Sequence, residues 1–321
     1  MRDPEPQLAK TVLMIRPVGF RSNPQTAESN QFQRDPGIVD PELEQRAAAT
    51  QFQGLVDALR AAGIGVIVEP DLPDPETPDS IFPNNWVSFH SDGTVVIYPM
   101  MAPNRRAEIR PDVIERLGGE RGYRVERVLD LSGHSAAGHY LEGTGSLVLD
   151  RPNRIAYAAL SPRTSLEALA DFSQRMEYEV LAFEALDRDG QEIYHTNVMM
   201  SLGEKFAVIC DETITGAGQR QAVLLRLEET GHEVISIDRR QMRSFLGNCL
   251  QLEATDGSRV IAMSRQAEDA LTPAQTTRLR RHGRIVSSPI HDIERSAGGS
   301  VRCMLAEVHL PERVSGEGLS A

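Results

Sequence analysis

Cysteine is scarce in this chain. Only Cys210, Cys249 and Cys303 occur among 321 residues. An odd number at such spacings is neither a disulfide framework nor a zinc pattern, and it suits a reducing compartment. Positive charge is also short: 34 Lys and Arg stand against 46 Asp and Glu, a net charge of −12. That balance argues against nucleic acid or an anionic membrane as partner, while leaving room for local basic pockets. No apolar run approaches the roughly 18–20 residues a membrane span needs. Met1–Lys10 has no apolar core of a secretory signal, so a cytoplasmic location is expected. Linkers and low-complexity segments are missing too. One domain over residues 1–321 is therefore expected, with ample chain to bury a core.

What is present alternates between short apolar runs and amphipathic stretches, the pattern of an α/β or α+β protein. Thr11–Arg16 reads as a buried strand. Pro17–Pro41 is long, polar and rich in Asn, Gln, Pro and Gly, the composition of an active-site loop, and residues 17–41 are expected to form one. Asp40-Pro41 opens a helix, with Ala48, Phe52, Leu55, Val56 and Leu59 on one face. Val66–Val68 is a strand. Asp92-Gly93 and Asp256-Gly257 mark hairpins, with further turns at Arg151-Pro152-Asn153 and Leu202-Gly203-Glu204. A helix is expected from about Asn104 to Leu117, and strands over Tyr123–Leu129, Tyr178–Phe183, Val234–Ile237, Arg284–Ile290 and Val301–Leu310.

The spacing says more than any single element. Helix starts fall near positions 42, 104, 164, 219 and 272, and hairpin turns near 92, 152, 203 and 256. A period of about 50–60 residues means repeated supersecondary units. Five units in a chain this long suit a closed ring of small sheets with helices outside. Such a ring brings distant residues to one axis.

The polar residues placed to reach that axis are Asp79, Asn84 and Asn85; Glu142, between Leu141 and Gly143; His195 and Asn197; and Cys303, after Gly298-Gly299. A Cys, a His and a Glu are the parts of covalent catalysis. Cys303 would attack an electrophilic carbon. His195 would protonate the leaving amine and then activate water, and Glu142 would orient the imidazole. A neighbouring imidazolium or the ligand itself would have to lower the thiol pKa. Cys249 alternates as an interior strand residue and is read as core. His134 and His139 resemble a metal pair but have no obvious third ligand, so no metal and no cofactor is expected.

The ordered set resembles the guanidino-group-modifying superfamily, the penteins: arginine deiminases, dimethylarginine hydrolases and amidinotransferases. The resemblance runs from Thr11 to Pro311. Gly298–Met304 resembles the terminal nucleophile motif, and Leu141-Glu142-Gly143 the Glu-Gly-Gly-Asp motif. Tyr194–Asn197 resembles His-x-Asp, and Asp79–Phe82 the segment leading to a substrate-gripping acid. Leu160–Thr164 resembles Leu-Ser-x-Arg-Thr. The resemblance implies a five-bladed ββαβ propeller of pseudo-fivefold symmetry with Cys303, His195 and Glu142 on the axis. It also implies that Arg163, with Arg105 or Arg106, holds a substrate carboxylate.

Three departures bear on the substrate. Asn85 stands where the family has its gripping Asp, Asn197 where His-x-Asp ends, and Gly145 where Glu-Gly-Gly-Asp ends. Carboxylates suit a guanidinium, which offers only donors. An amide, with one donor and one acceptor, suits a neutral ureido group. The expected substrate is accordingly a small ureido amino acid, citrulline first, cleaved to ornithine, ammonia and carbon dioxide through a carbamoyl-cysteine. Arg16–Phe20 and Asn23–Ala27 are similar to the citrulline-utilisation branch, which adds Asn23 to the binding set. Two alternatives stay open. One is an arginine or methylarginine hydrolase or amidinotransferase that grips the cation with Asp79 and Glu142. The other is a non-catalytic binding ring. The expected partner is a small amino acid, with a homodimer left open.

Overall fold

A computed structural model describes residues 4–34 and 40–313. Strand β1 (Thr11–Arg16) is followed by helix α1 (Pro41–Ala61) and by β2 (Gly65–Pro70), which lies parallel to β1. Four further units repeat one plan: an antiparallel hairpin, a helix, then a third strand parallel to the second. They are β3 (Val87–Phe89), β4 (Thr94–Ile97), α2 (Pro111–Gly119) and β5 (Arg127–Asp130); then β6 (Val148–Asp150), β7 (Ile155–Leu160), α3 (Leu166–Met176) and β8 (Glu179–Glu184). Next come β9 (Met200–Leu202), β10 (Phe206–Ile209), α4 (Ala217–Glu229) and β11 (Glu233–Ser236), and β12 (Leu250–Glu253), β13 (Arg259–Ser264), α5 (Pro273–His282) and β14 (Arg284–Ser288). After helix α6 (His291–Ala297), the last strand β15 (Ala306–Glu307) pairs antiparallel with β1, Val12 opposite Glu307. The described strands thus form five three-stranded sheets, one of them built from both ends of the chain. This is the expected mixed α/β ring of five ββαβ blades.

Local chemistry explains the elements. Gly93 and Gly257 take positive φ (81° and 80°), and the Asp before each accepts from a backbone N–H two residues on, at 2.9 Å. Asp40 caps α1 through the Glu42 N–H at 2.9 Å, and Thr272 with Gln275 forms a capping box on α5. The apolar faces meet between blades. Along β1, Val12 and Met14 pack with Phe52 and Leu55, while Leu13 and Ile15 pack with Val87, Phe89 and Val95. Both faces of the strand are buried, hence its unbroken apolar run.

Some expectations need correction. The helix expected over Asn104–Leu117 is two pieces, Pro103–Arg106 and α2. Pro111 drives the residue before it out of the helical region, and Arg110 lies at φ −120°, ψ 84°. Val301–Leu310 is not a continuous strand: Val301–Met304 is a tight helical turn, closed by the Cys303 N–H on Ser300 O at 3.0 Å, and only Ala306–Glu307 pairs. The strand expected from Tyr123 starts at Arg127. Within the long loop, Pro24–Ala27 forms a helical turn capped by Asn23. Asp35–Val39 of that loop lie outside the described residues. No described helix is long and apolar enough to cross a membrane.

The first strands of the blades touch around the centre, β15 against β3, β6 against β9 and β9 against β12. Just before each comes a tight turn: Pro83–Asn85, Gly143–Ser146, Thr196–Met199, residues 245–249 and Val301–Met304. These five turns carry the site.

Candidate active site

Glu142 precedes the turn of the β6 blade, and His195 that of the β9 blade. They meet at 2.8 Å, His195 Nε2 to Glu142 Oε2. Glu142 Oε1 accepts from the Met101 N–H at 3.0 Å, and Arg163 and Arg105 stand 3.4 and 3.7 Å from Oε2. Burial works to raise the Glu142 pKa. Arg163, the His195 bond and Arg105 outweigh it and hold the carboxyl well below its ordinary range. An ionised Glu142 accepts a hydrogen bond from the Nε2–H of His195, which leaves the lone pair of the neutral ring on Nδ1.

Cys303 and His195 line one cavity, together with Asp79, Asn85, Arg105 and Arg163. Burial lowers His195 to about 4, helped by Arg163 and Arg105 against the opposing Glu142. Burial also pushes the Cys303 thiol up. The resting pair is therefore a thiol and a neutral imidazole, so the expected imidazolium is not there to ionise Cys303 before a ligand arrives. The cavity measures about 10 Å³, room for roughly one water. Loop residues Thr26 and Asn30 form part of its wall.

Two buried polar atoms on this wall have no partner: Asp79 Oδ1 and Asn85 Nδ2. The other Asp79 oxygen accepts from Asn23 Nδ2 at 2.7 Å and Thr26 Oγ1 at 3.2 Å. Asn85 Oδ1 accepts from Arg105 Nη1 at 2.9 Å. An acceptor and a donor thus stay unused on residues that line the same cavity as Cys303.

The remaining expected residues divide. Asn23 reaches the site only through Asp79 and caps the loop's helical turn. Arg163 is engaged by the loop itself, its Nη2 on Thr26 O at 3.1 Å and Ser29 Oγ at 2.8 Å. Arg105 is clasped by Glu108, two contacts at 2.9 Å. Arg106 turns away onto the carbonyls of Met100 and Met101 and lies over Tyr140, so of the two arginines only Arg105 reaches the cavity. Asn84 is buried with both side-chain polar atoms unpartnered, and is not part of the cavity wall. His134 is bonded to Asp171 at 2.9 Å, and no described group of three or more His, Cys, Asp or Glu could hold a metal.

Gly145 has a steric reason. A Cβ there would overlap the Asn85 amide and meet His195 Nδ1 at 2.8 Å. The missing carboxylate is excluded by packing as well as absent from the charge pattern.

Sequence reasoning missed Asn248. Its Nδ2 lies 3.2 Å from Cys303 Sγ and 2.8 Å from Asn197 O, and its Oδ1 accepts from the Cys303 N–H at 3.4 Å. Asn197 Oδ1 sits 3.6 Å from the same sulfur, and Asn197 Nδ2 donates to Thr144 O at 3.1 Å. Thr144 Oγ1 continues to Asn84 O at 3.4 Å. Side chain to neighbouring backbone, the chain of bonds passes through all five central turns. The blade period, applied to the turn before β12, is the signal that finds Asn248. Cys249 next to it is buried against Ser201, as expected for a core residue.

The family profile described as N,N dimethylarginine dimethylhydrolase, eukaryotic, matches residues 16–310. No curated protein matches. Among solved structures, the chain is similar to the substrate-bound N-terminal domain of ArgZ, an arginine dihydrolase of the ornithine-ammonia cycle in cyanobacteria. There the identity is 17%, the TM-score 0.72, and the coverage 94% of this chain and 98% of that one. Unliganded AgrE aligns at 19% identity and TM-score 0.71 over 95% of this chain but 40% of AgrE. A dimethylarginine dimethylaminohydrolase adduct with S-methyl-L-thiocitrulline aligns at 15% identity and TM-score 0.64, covering 93% and 99%.

Proposed function

The chain belongs to the N,N dimethylarginine dimethylhydrolase family, within the guanidino-group-modifying pentein superfamily, and from that premise we propose that it hydrolyses a guanidino C–N bond of an arginine-type amino acid with Cys303 as nucleophile. One observation carries the choice of a cation: Asp79 Oδ1, buried in the cavity wall beside Cys303 without a partner. An unpaired buried carboxylate oxygen is costly unless a donor arrives, and a guanidinium brings several.

The sequence of steps follows from the resting protonation. A bound guanidinium supplies the positive charge that the neutral His195 does not. Cys303 passes its proton to His195, and the thiolate adds to the guanidino carbon. The imidazolium returns that proton to the departing ammonia or alkylamine, leaving an amidino-thioether on Cys303. His195, neutral again, takes a proton from water as it attacks. Collapse expels the thiolate and releases a ureido product. Glu142 keeps the ring oriented and offsets its charge. When the 17–34 segment lifts, Arg163 loses its bonds to Thr26 and Ser29 and would receive the substrate carboxylate.

A second reading is favoured by Asn85 Nδ2, the unused donor. It suits the oxygen of a ureido group or the oxyanion formed on it. Citrulline would then be cleaved in turn, ornithine leaving first and a carbamoyl-cysteine being hydrolysed to ammonia and carbon dioxide.

The test measures ammonia, citrulline and ornithine from arginine, dimethylarginine, agmatine and citrulline. Consumption of arginine or its methylated form, lost in Cys303→Ala and kept in Cys249→Ala, is the expected result. Turnover of citrulline alone replaces the first reading by the second. No turnover of any of them defeats both.

A further inference from the structure

We propose that Asn248 is a catalytic residue, the amide that stabilises the Cys303 thiolate. The inference rests on the reading of Cys303 as nucleophile. The amide orientation is fixed by the Asn197 carbonyl, which requires Nδ2 at 2.8 Å; the Cys303 N–H, bonded first to Ser300 O at 3.0 Å, adds a longer contact to Oδ1 at 3.4 Å. Nδ2 carries two hydrogens. One is used on Asn197 O, and the other faces Cys303 Sγ at 3.2 Å. Asn248 is fully buried, so that hydrogen has no water to turn to. The amide is complete only when sulfur accepts, and a thiolate accepts far better than a thiol.

Asn197 acts on the same atom in the opposite sense. Its Oδ1, 3.6 Å from the sulfur, can take the thiol hydrogen and so favours the protonated form. Asn197 comes from the β9 blade, Asn248 from the β12 blade and Cys303 from the β15 blade, each from the turn before the inner strand. The sulfur is therefore set between an acceptor and a donor by the ring itself. Loss of its proton breaks the contact to Asn197 and strengthens the one to Asn248. The Asn197 carbonyl on Nδ2, at 2.8 Å, keeps the amide from swinging away when this happens.

The test needs no substrate. Iodoacetamide alkylation of Cys303, located by peptide mapping, is followed against pH in the wild type, Asn248→Asp and Asn248→Ala. The Asp variant keeps the shape and the acceptor for the Cys303 N–H but places an acceptor against the sulfur. In both variants the rate at pH 7 falls roughly tenfold or more, the size of a hydrogen bond to a charged group, and the profile moves to higher pH. Profiles that superimpose on the wild type overturn the proposal. A second measurement avoids any folding defect: in the ¹⁵N-labelled wild type, the Asn248 side-chain amide signals move with pH in step with Cys303 alkylation. Signals that stay fixed through that range also overturn it. If the wild type turns over no guanidino or ureido compound while the alkylation profile still responds to Asn248, the hydrolase reading falls and the catalytic role of Asn248 with it, and only its contact to the thiolate stands. If arginine is turned over and the profiles do not move, the hydrolase reading stands and this assignment falls.

Discussion

At the scale of single residues, burial decides the starting state. His195 is neutral because its ring lies in the interior, with two guanidinium groups nearby. Its folded pKa of about 4 lies below the ordinary 6.5. The stability it contributes is thus fully present above pH 6.5 and is lost as pH falls from 6.5 through 4. Glu142, also depressed, adds to the loss below its ordinary range. Urea unfolding at pH 7 and pH 4.5 should differ by about 2–3 kcal/mol on account of His195, and His195→Gln should flatten that part of the difference. Gly145→Ala gives a second prediction. The added methyl meets Asn85 and the His195 ring, so a cost of about 1–3 kcal/mol in thermal unfolding is expected, with a loss of turnover larger than any change in KM. Unchanged turnover would mean that the ring can move without consequence. Cys303, His195 and Glu142, which the structure brings to one region, stood out in the sequence because Cys, His and Glu have distinctive chemistry beside glycines. Asn248 did not, because an asparagine before a core cysteine resembles any turn residue, and only the blade period singles it out.

At the scale of elements, the units were legible where turn chemistry is local. Asp-Gly hairpins, the Asp40 and Thr272 caps and the alternating strands need only near neighbours. The misreadings have equally local causes. Pro111 interrupts a helical pattern whose apolar spacing continues across it. The run after Gly299 is apolar because a helical turn is packed on all sides, and composition does not distinguish that from a strand. The loop before α1 is tied to the site by Asn30, whose Nδ2 donates to Ala297 O at 3.0 Å while its Oδ1 accepts from the Phe32 N–H, also at 3.0 Å. Asn30→Ala removes these two and the Gln33 N–H bond to Oδ1 at 3.2 Å, about 1–2 kcal/mol of local stability. Faster hydrogen exchange over residues 22–34 and a raised KM are expected. Exchange equal to the wild type would show that Asp79 and Arg163 hold the segment without Asn30.

At the scale of the molecule, the ring closes through the pairing of β15 with β1, so the first and last described strands are joined in one sheet. The described N-terminal residues reinforce it. Glu5 is buried, accepting from Arg151 at 2.7 Å, Tyr178 at 2.9 Å and the Ser91 N–H at 3.1 Å. Glu5→Ala leaves Arg151 as an interior charge short of its partner, and a loss of about 3–5 kcal/mol in urea unfolding is expected. Nothing in the sequence marks Glu5, since its partners lie more than eighty positions away. The chamber beside Cys303 has one more consequence. A space that admits a single water when shut cannot be entered by collision. On the proposed function, an amino-acid substrate waits for the 17–34 segment to lift, and the product waits for it again. Stopped-flow binding traces should therefore level off as ligand concentration rises, at a ceiling set by the protein's own opening rate and shared by ligands of unequal affinity.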